Sequence, residues 1–451
     1  MRVVYETFGC KANQYDTERI RQELEARGAE TVGRVEDADV CIVNTCTVTS
    51  QADAQARSRI RAVHRRKAEL EIVVVGCSAA LRAGDYRALP EVASVVGGHD
   101  AVEIAEASAR SRPRLVQLGA RTSLDRMDGE PVAGEILLRR EGRSRAWLKI
   151  QDGCDRKCSF CATRLARGAS RSRSPDEIVR EARALSATHR EIVLTGIHIG
   201  HYGRDLERSC SLSGLVVRLL EEVHQTRFRL GSVEATEIDD LLLDLLADSG
   251  GRLAPHLHMP LQSGADPVLR RMRRWYTRDM YRARALEIAG RLPVLGLGAD
   301  IITGYPGETD ADHRDTVALV EELPYTYLHV FPFSPREQTA AETQNRSDPV
   351  PQRVAGERSR ELRELVDVKG RHHRRARAGD PAVVILEGEG NSALTGDYLR
   401  ARVSLDDREA WAAQSRARTG HLRGPERLRG GILRWSDDDL AIDLTPKRSF
   451  T

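Results

Sequence analysis

Short apolar, β-branched runs recur along the first third of the chain, separated by stretches that are apolar on one face only. Val3-Val4-Tyr5, Val40 to Val43 and Ile72 to Val75 read as strands buried on both faces, and Thr17 to Arg27 and Gln51 to Lys67 as amphipathic helices. That alternation predicts an open parallel α/β sheet within residues 1–118. A stretch rich in Pro, Gly and Arg, Ser111 to Gly134, reads as a linker. Strand and helix units return across 140–370, with strands at Ala146 to Ile150, Glu191 to Thr195, Arg227 to Val233, His256 to Pro260, Val294 to Ile302 and Tyr327 to Phe333. Pro175 to Ser186, Asp239 to Asp248 and Asp310 to Leu323 read as helices between them. Repeated βα units in this number predict a full or partial β/α barrel, with chemistry at the carboxyl ends of its strands.

After Pro351 the pattern changes. Gln352 to Gly370 is a charged helix, and residues 371–440 carry short strands with Gly-rich turns, beginning at Asp380-Pro-Ala-Val-Val-Ile-Leu-Glu. These fit a small β-barrel. Residues 405–430, rich in Arg and Ala, interrupt the strand pattern and have no assignment.

Composition changes the picture little. The chain has 451 residues, and 70 Lys and Arg nearly cancel 67 Asp and Glu, so net charge identifies no partner. Local charge does more. Arg164, Arg167, Arg171 and Arg173 form one basic run, Arg270 to Arg274 with Trp275 and Tyr276 a second, and Arg371 to Arg377 a third. A basic run is usually a solvated face, but three together suit a phosphate-binding surface. No apolar run is long enough to span a bilayer, and the opening Met-Arg-Val-Val-Tyr-Glu has no apolar signal segment. A cytoplasmic protein with reduced thiols and no membrane partner is the expectation.

The cysteines carry the chemistry. Cys154, Cys158 and Cys161 form a C-x3-C-x2-C run. Three thiolates so close in sequence suit three corners of a cubane iron–sulfur cluster, with one iron left open. A zinc knuckle needs a fourth ligand at short spacing, and the nearest downstream candidates, His198 and Cys210, stand at no usual zinc interval. Cys10, Cys46 and Cys77 each follow one of the three N-terminal strands, so the sheet can bring them to one point at its carboxyl edge. Three separately buried cysteines are the alternative. Cys41 begins a strand and is expected in the core; Cys210 lies in a polar loop.

The Cys154–Cys161 loop, with Phe160 before its last cysteine, resembles the S-adenosylmethionine (SAM) binding loop of the radical SAM superfamily. The resemblance implies that the open iron takes the amino and carboxylate groups of SAM, and that one electron releases a 5′-deoxyadenosyl radical. Phe8-Gly9-Cys10-Lys11-Ala12-Asn13-Gln14-Tyr15, Leu194-Thr-Gly-Ile-His-Ile-Gly, Ser232-Val-Glu-Ala-Thr-Glu, His258-Met-Pro-Leu-Gln-Ser-Gly264, Asp300-Ile-Ile-Thr-Gly-Tyr-Pro-Gly-Glu308 and Phe331-Pro-Phe-Ser-Pro-Arg336 together resemble the methylthiotransferases, radical SAM enzymes with a three-cysteine N-terminal domain. The Cys-Lys-Ala-Asn-Gln-Tyr opening and Arg273-Arg-Trp-Tyr276 look most like the tRNA branch that modifies threonylcarbamoyladenosine at position 37.

This resemblance implies two [4Fe-4S] clusters, on Cys10, Cys46 and Cys77 and on Cys154, Cys158 and Cys161, with SAM as cosubstrate. It implies a radical SAM partial barrel, a TRAM-like C-terminal barrel, and SAM contacts from Thr195, Gly196, Glu234 and Gln262. Its partners would be the tRNA anticodon loop, a sulfur donor, and a reductant such as flavodoxin or ferredoxin. Sister branches act on isopentenyladenosine in tRNA or on an aspartate of a ribosomal protein. The rival class is an RNA-binding iron–sulfur protein without turnover. The chain departs from the family pattern at Cys161-Ala-Thr163-Arg164 and at Glu337-Gln338.

Overall fold

A computed structural model describes residues 1–109, 132, 136–140, 142–387, 392–404, 407, 409, 428–436 and 439–444. The expected linker at 111–134, apart from residue 132, and most of the unassigned 405–430 stretch lie outside the described residues.

Five parallel strands open the chain: β1 (Arg2–Thr7), β2 (Glu30–Thr31), β3 (Val40–Thr45), β4 (Glu71–Gly76) and β5 (Ser94–Val95), in the order β2-β1-β3-β4-β5. Their runs are continuously apolar because both faces are covered. Val4, Cys41, Val43, Ile72 and Val74 pack on one side with Ile60 and Val63 of the Ser50–Arg66 helix. Val3, Val40, Ile42, Val73 and Val75 pack on the other with Ile20 and Leu24 of the Lys11–Ala26 helix and Ile104. That helix begins six residues before the expected Thr17. Its first turns bury the polar Asn13, Asp16 and Thr17, so the sequence there lacks an apolar stripe.

Six further parallel strands make the centre: β6 (Arg145–Lys149), β9 (Glu191–Thr195), β10 (Arg227–Leu230), β11 (His256–His258), β12 (Gly296–Thr303) and β13 (Tyr327–Pro332). A short antiparallel pair, β7 (Gln151–Asp152) with β8 (Arg171–Ser172), follows β6. The sheets β6-β9-β10 and β11-β12-β13 join through parallel bridges Phe228–Leu253 and Ser232–His258. The result is a partial (β/α) barrel with β6 and β13 as its edges. The N-terminal sheet unit reaches both edges, through the Lys11–Ala26 helix at β6 and through Arg336, just past β13, which donates to Thr47 Oγ1 and Asp53.

The Gln352–Ala376 helix lies along β13 and runs through most of the Arg371–Arg377 basic stretch, six residues past the expected end. Strands β14 (Pro381–Glu387), β15 (Ser392–Thr395), β16 (Arg400–Val403), β17 (Leu428–Ser436) and β18 (Asp439–Leu444) then close a barrel in the order β14-β15-β16-β18-β17. Val384, Leu386, Leu433, Leu440 and Ile442 fill it. Arg377, at the end of the basic stretch, is buried and donates to Asp397 Oδ2 at 3.0 Å, so it holds this barrel to the helix and faces no solvent.

The C-terminal barrel plugs the amino end of the central one. Arg227 Nη1 donates to the Val383 carbonyl (2.8 Å), and Arg229 to the Thr395 and Gly396 carbonyls (3.0 and 2.8 Å). Both arginines share Glu191, which is fully buried at the start of β9. Burial alone would raise the Glu191 carboxyl, but Arg227, Arg229 and Arg145 outweigh it and hold it well below the usual carboxylate range. With the amino end sealed, the carboxyl end is left for chemistry, as in other βα barrels.

Glu191→Gln should cost about 3–5 kcal/mol of stability, because it strands three arginines in a dry site. Urea denaturation checks this. The pH dependence has a defined sign. A carboxyl depressed on folding stabilises above its ordinary pKa of 4.5 and loses that contribution as pH falls further. The wild-type advantage over Glu191→Gln should therefore be full at neutral pH and shrink progressively below pH 4.5.

Candidate active site

Cys10 caps the Lys11–Ala26 helix just after β1, Cys46 follows β3 directly, and Cys77 opens the Cys77–Leu81 helix after β4. The three therefore stand at the carboxyl ends of adjacent strands. Gly9 has φ +98°, and a Cβ there would come within 2.7 Å of Cys46 Sγ, so only glycine lets the first loop press against the second. Asn13 fastens the group: Nδ2 donates to the Phe8 and Thr45 carbonyls (3.0 and 2.9 Å), while Oδ1 lies 3.6 Å from Cys77 Sγ. Cys41 is fully buried in the core, and Cys210 points at the Ser211 carbonyl (3.5 Å); neither joins either set.

The second set lies on the loop after β7. Ser159 anchors that loop: its N–H donates to the Met272 carbonyl (3.1 Å), and its hydroxyl meets the Arg271 carbonyl and Tyr305 Oη, each at 2.8 Å. Phe160 packs beside Val268, Met272, Tyr305 and Phe333. Cys161 then caps the Ala162–Arg167 helix. Arg274 Nη1 donates to Cys158 Sγ at 3.2 Å, and His198 Nδ1 is 3.5 Å from Cys154 Sγ.

Burial pushes the thiols up, Cys46 to about 11 and Cys77 and Cys154 to about 12; it raises Cys158 as well, against Arg274. A thiolate at these positions needs a cation as partner, and a metal that supplies it releases protons on binding. A single zinc ion would draw its ligands to roughly 3.8 Å apart, given its tetrahedral Zn–S bonds. Among the described residues, the three-ligand groups gathered within 4.8 Å are His198–His201–Glu237 and His258–Asp300–His329. Neither cysteine set is drawn in so closely. Three cysteines gathered at one sheet edge, and three more on one loop, suit a cubane, where each binds a different iron.

Arg167 connects the two sets. It is fully buried at the end of the helix behind the second loop, and Nε donates to Cys77 Sγ of the first set at 3.2 Å. Its remaining nitrogens reach both Asp152 oxygens (2.9 and 2.7 Å), Asn13 Oδ1 (2.7 Å) and Asp16 Oδ2 (2.8 Å). Lys149, also buried, donates to Asp16 (2.6 Å) and Asp152 (2.9 Å). Two carboxylates and two cations thus balance inside the interface. Burial would raise Asp152, but Arg167 and Lys149 outweigh it and hold it ionised. Beside them burial pushes His99 down to about 3, so it stays neutral.

This geometry corrects the reading of the basic runs for three of their members, while Arg270, Arg271 and Arg273 remain exposed. Arg167 and Arg173 face inward, the latter onto Glu181 (2.8 Å) and the Lys149 carbonyl (2.9 Å). Arg274 is buried between Cys158 and Glu234, and Trp275 is stacked between Arg156 (3.8 Å) and Arg274 (4.2 Å). These groups build the centre and are not spread for phosphates.

The four expected SAM contacts all stand at strand carboxyl ends near the second loop. Thr195 ends β9 and is buried; Gly196 lies against Gln151, whose Oε1 accepts from the Ile197 and His198 N–H groups. Glu234 pairs with Arg274 at 2.5 Å, while its Oε2 is buried without a hydrogen bond, and burial raises its carboxyl against Arg274. Gln262 has φ +67° and bridges β11 to β12 through its backbone. Lys149, Arg156 and Glu237 have no role assigned from sequence, Arg167 and Arg274 enter there only as members of basic runs, and His198 only as a zinc candidate set aside. Lys149, a lone charge in the apolar Ala146 to Ile150 strand, carried the clearest signal.

Known proteins resemble this chain over most of its length. Residues 2–97 match "Uncharacterized protein family UPF0004", and residues 148–320 match the radical SAM superfamily. The threonylcarbamoyladenosine tRNA methylthiotransferase MtaB of Bacillus subtilis (strain 168) is 36% identical over 81% of this chain and 80% of its own length. That of Aquifex aeolicus (strain VF5) is 33% identical over 88% and 96%. The tRNA-2-methylthio-N(6)-dimethylallyladenosine synthase of Bacillus pumilus (strain SAFR-032) is 32% identical over 85% and 75%. Among solved structures, the radical SAM methyltransferase TsrM of Kitasatospora setae aligns with TM-score 0.52 at 15% identity, over 73% of this chain and 72% of that one, a likeness of fold.

Arg167→Leu should lower stability by about 3–5 kcal/mol, since it leaves Asp16 and Asp152 underpaired in a buried interface. Arg167→Lys should recover little of the loss, because an ammonium cannot span the four partners. Thermal melts of the three proteins check the order.

Proposed function

The chain belongs to the radical SAM tRNA methylthiotransferases, and we propose that it adds a methylthio group to C2 of N6-threonylcarbamoyladenosine at position 37 of tRNA. It is a SAM-dependent transferase with [4Fe-4S] clusters as cofactors. The observation that carries the reading is the pairing of two three-cysteine sets across one buried arginine. One set suits SAM cleavage and the other suits sulfur. Relatives named for threonylcarbamoyladenosine reach 33–36% identity, against 31–32% for those named for dimethylallyladenosine.

We assign residues 1–118 to the domain holding one cluster on Cys10, Cys46 and Cys77. Residues 140–370 are the radical SAM core, with its cluster on Cys154, Cys158 and Cys161 and SAM contacts from Thr195, Gly196, Glu234 and Gln262. Residues 371–440 are a TRAM-like RNA-binding domain. An adenine C–H bond offers a side-chain base no proton at neutral pH, so the bound cofactors would generate the radical and carry the sulfur to it. The residues position and tune. Arg274 and His198 lie against the SAM-side sulfurs and Arg167 against the sulfur-side set, where N–H groups on sulfur shift a cluster's potential. The RNA enters by its anticodon loop, where an unpaired base is readily splayed out. A flavodoxin or ferredoxin supplies electrons and a separate donor the sulfur. No described helix is long and apolar enough to cross a membrane. We place the enzyme in the cytoplasm, with the tRNA it acts on.

Anaerobically reconstituted protein should hold about eight irons per chain, the content of two cubanes. Replacing Cys154, Cys158 and Cys161 by Ala should remove about half of them and all 5′-deoxyadenosine release. Replacing Cys10, Cys46 and Cys77 should spare that release and end sulfur insertion. Mass analysis of tRNA nucleosides from a strain lacking the gene should show no methylthio-threonylcarbamoyladenosine. Loss of methylthio-isopentenyladenosine alone would place the enzyme in the sister branch.

A further inference from the structure

The lumen of the partial barrel holds a concentration of polar groups that the cysteine chemistry leaves unused. His256 and His258 on β11, Gly298 and Asp300 on β12, and Tyr327 and His329 on β13 stand at alternate positions, so they share one face. A Cβ on Gly298 would lie 2.0 Å from the Tyr327 ring, which covers bare backbone there. Tyr327 Oη in turn meets His256 Nε2 (2.8 Å) and His258 Nδ1 (3.1 Å). A column of rings rises from the plug at the amino end: Tyr398 to Tyr327 at 5.5 Å, Tyr327 to His329 at 5.4 Å, and His329 to Phe331 at 6.4 Å. The lower rings, Tyr398 and Tyr327, are half-buried, whereas the His329 side chain is 55% exposed and Phe331 38%.

Both imidazoles converge on one oxygen of Asp300: His258 Nε2 at 3.1 Å and His329 Nδ1 at 3.2 Å. Asp300 Oδ2 and His329 Nε2 make no hydrogen bond or ion pair among the described residues. Burial would raise Asp300, but hydrogen bonds from His258 and His329 outweigh it, so the group is an anion. The Asp300 carbonyl accepts the Gln262 N–H at 2.8 Å, so the cluster adjoins the barrel rim. An ionic acceptor and a ring-nitrogen acceptor stand side by side beneath an exposed aromatic face.

We infer that His258, Asp300, His329 and Phe331 form the pocket for the N6 substituent of the target adenosine and select a threonylcarbamoyl group over a prenyl group. The inference rests on the proposed function and adds to it the residues that choose the nucleoside. A threonylcarbamoyl arm offers ureido N–H and hydroxyl donors to Asp300 Oδ2 and to the lone pair of His329 Nε2, which is left as an acceptor because Nδ1 faces Asp300, while the purine finds the Phe331 ring to stack on. A prenyl arm offers neither donor nor acceptor and would leave both groups desolvated and unpaired. Sites built to hydrogen-bond a substrate reject analogues that lack the partner far more strongly than apolar pockets discriminate by size.

The test compares equilibrium binding of anticodon stem-loops carrying threonylcarbamoyladenosine, isopentenyladenosine or plain adenosine at position 37. The proteins are wild type, His329→Leu and His329→Gln, each reconstituted, with turnover followed by mass. Wild type should prefer the threonylcarbamoyl RNA by about ten- to a hundredfold over adenosine, the worth of a hydrogen bond to a charged group. His329→Leu should lose most of that preference while its affinity for the adenosine RNA and its iron content match wild type, and His329→Gln, which keeps an acceptor, should retain part. If wild type modifies the threonylcarbamoyl RNA but His329→Leu keeps the full preference, the pocket is wrong and the function stands. If wild type modifies only the isopentenyl RNA, the nucleoside assignment falls and the pocket falls with it. Metal beyond the cluster irons that disappears with His329→Leu would also overturn the inference, because the triad would then be an ion site.

Discussion

The buried guanidinium of Arg167 is the contact on which the arrangement of the centre depends. It sits behind the loop of one cysteine set and donates to a sulfur of the other, while Asp16 and Asp152 balance it and Lys149. Burying such a group is costly unless every donor is used, and here the surrounding carboxylates and the Asn13 amide use them. The price is recovered in geometry: the N-terminal sheet cannot swing away from the barrel edge without exposing an unpaired charge network. Two cysteine sets on separate folding units are thereby held at a fixed separation, as a reaction needing both would demand.

The other end of the barrel follows the same logic with the signs reversed. One carboxylate, Glu191, gathers Arg145, Arg227 and Arg229, and two of these carry the grip onward to backbone carbonyls of the C-terminal barrel. The plug makes the lumen a blind chamber from that side. What lines the chamber is then reached from the carboxyl rim or the N-terminal side, where the cysteines stand. The polar column from Tyr398 to Phe331 gains its meaning from that enclosure, since its upper, exposed rings face space next to the chemistry.

Much of this was legible in the sequence, for identifiable reasons. Three of the five N-terminal strands, β1, β3 and β4, end within two residues of their apolar runs and a cysteine follows each, so convergence followed from parallel topology alone. The barrel strands and the C-terminal strands were marked by the same alternation. Buried charge was the blind spot. Arg167, Arg173 and Arg274 sit in basic runs that resemble solvated faces, and their partners Asp16, Glu181 and Glu234 lie elsewhere in the chain, so no local pattern pairs them. The helix start at Lys11 was missed for the same reason: Asn13, Asp16 and Thr17 point inward because distant groups satisfy them.

The most direct test of the account is the coupling between the two cysteine sets. With both clusters loaded in Arg167→Leu, we would measure methylthiolated RNA formed per 5′-deoxyadenosine released. If Arg167 fixes one centre against the other, this ratio falls severalfold from the wild-type value while SAM cleavage continues. An unchanged ratio in a fully loaded, folded variant would contradict the account, because the two sets would then work together without the contact said to align them.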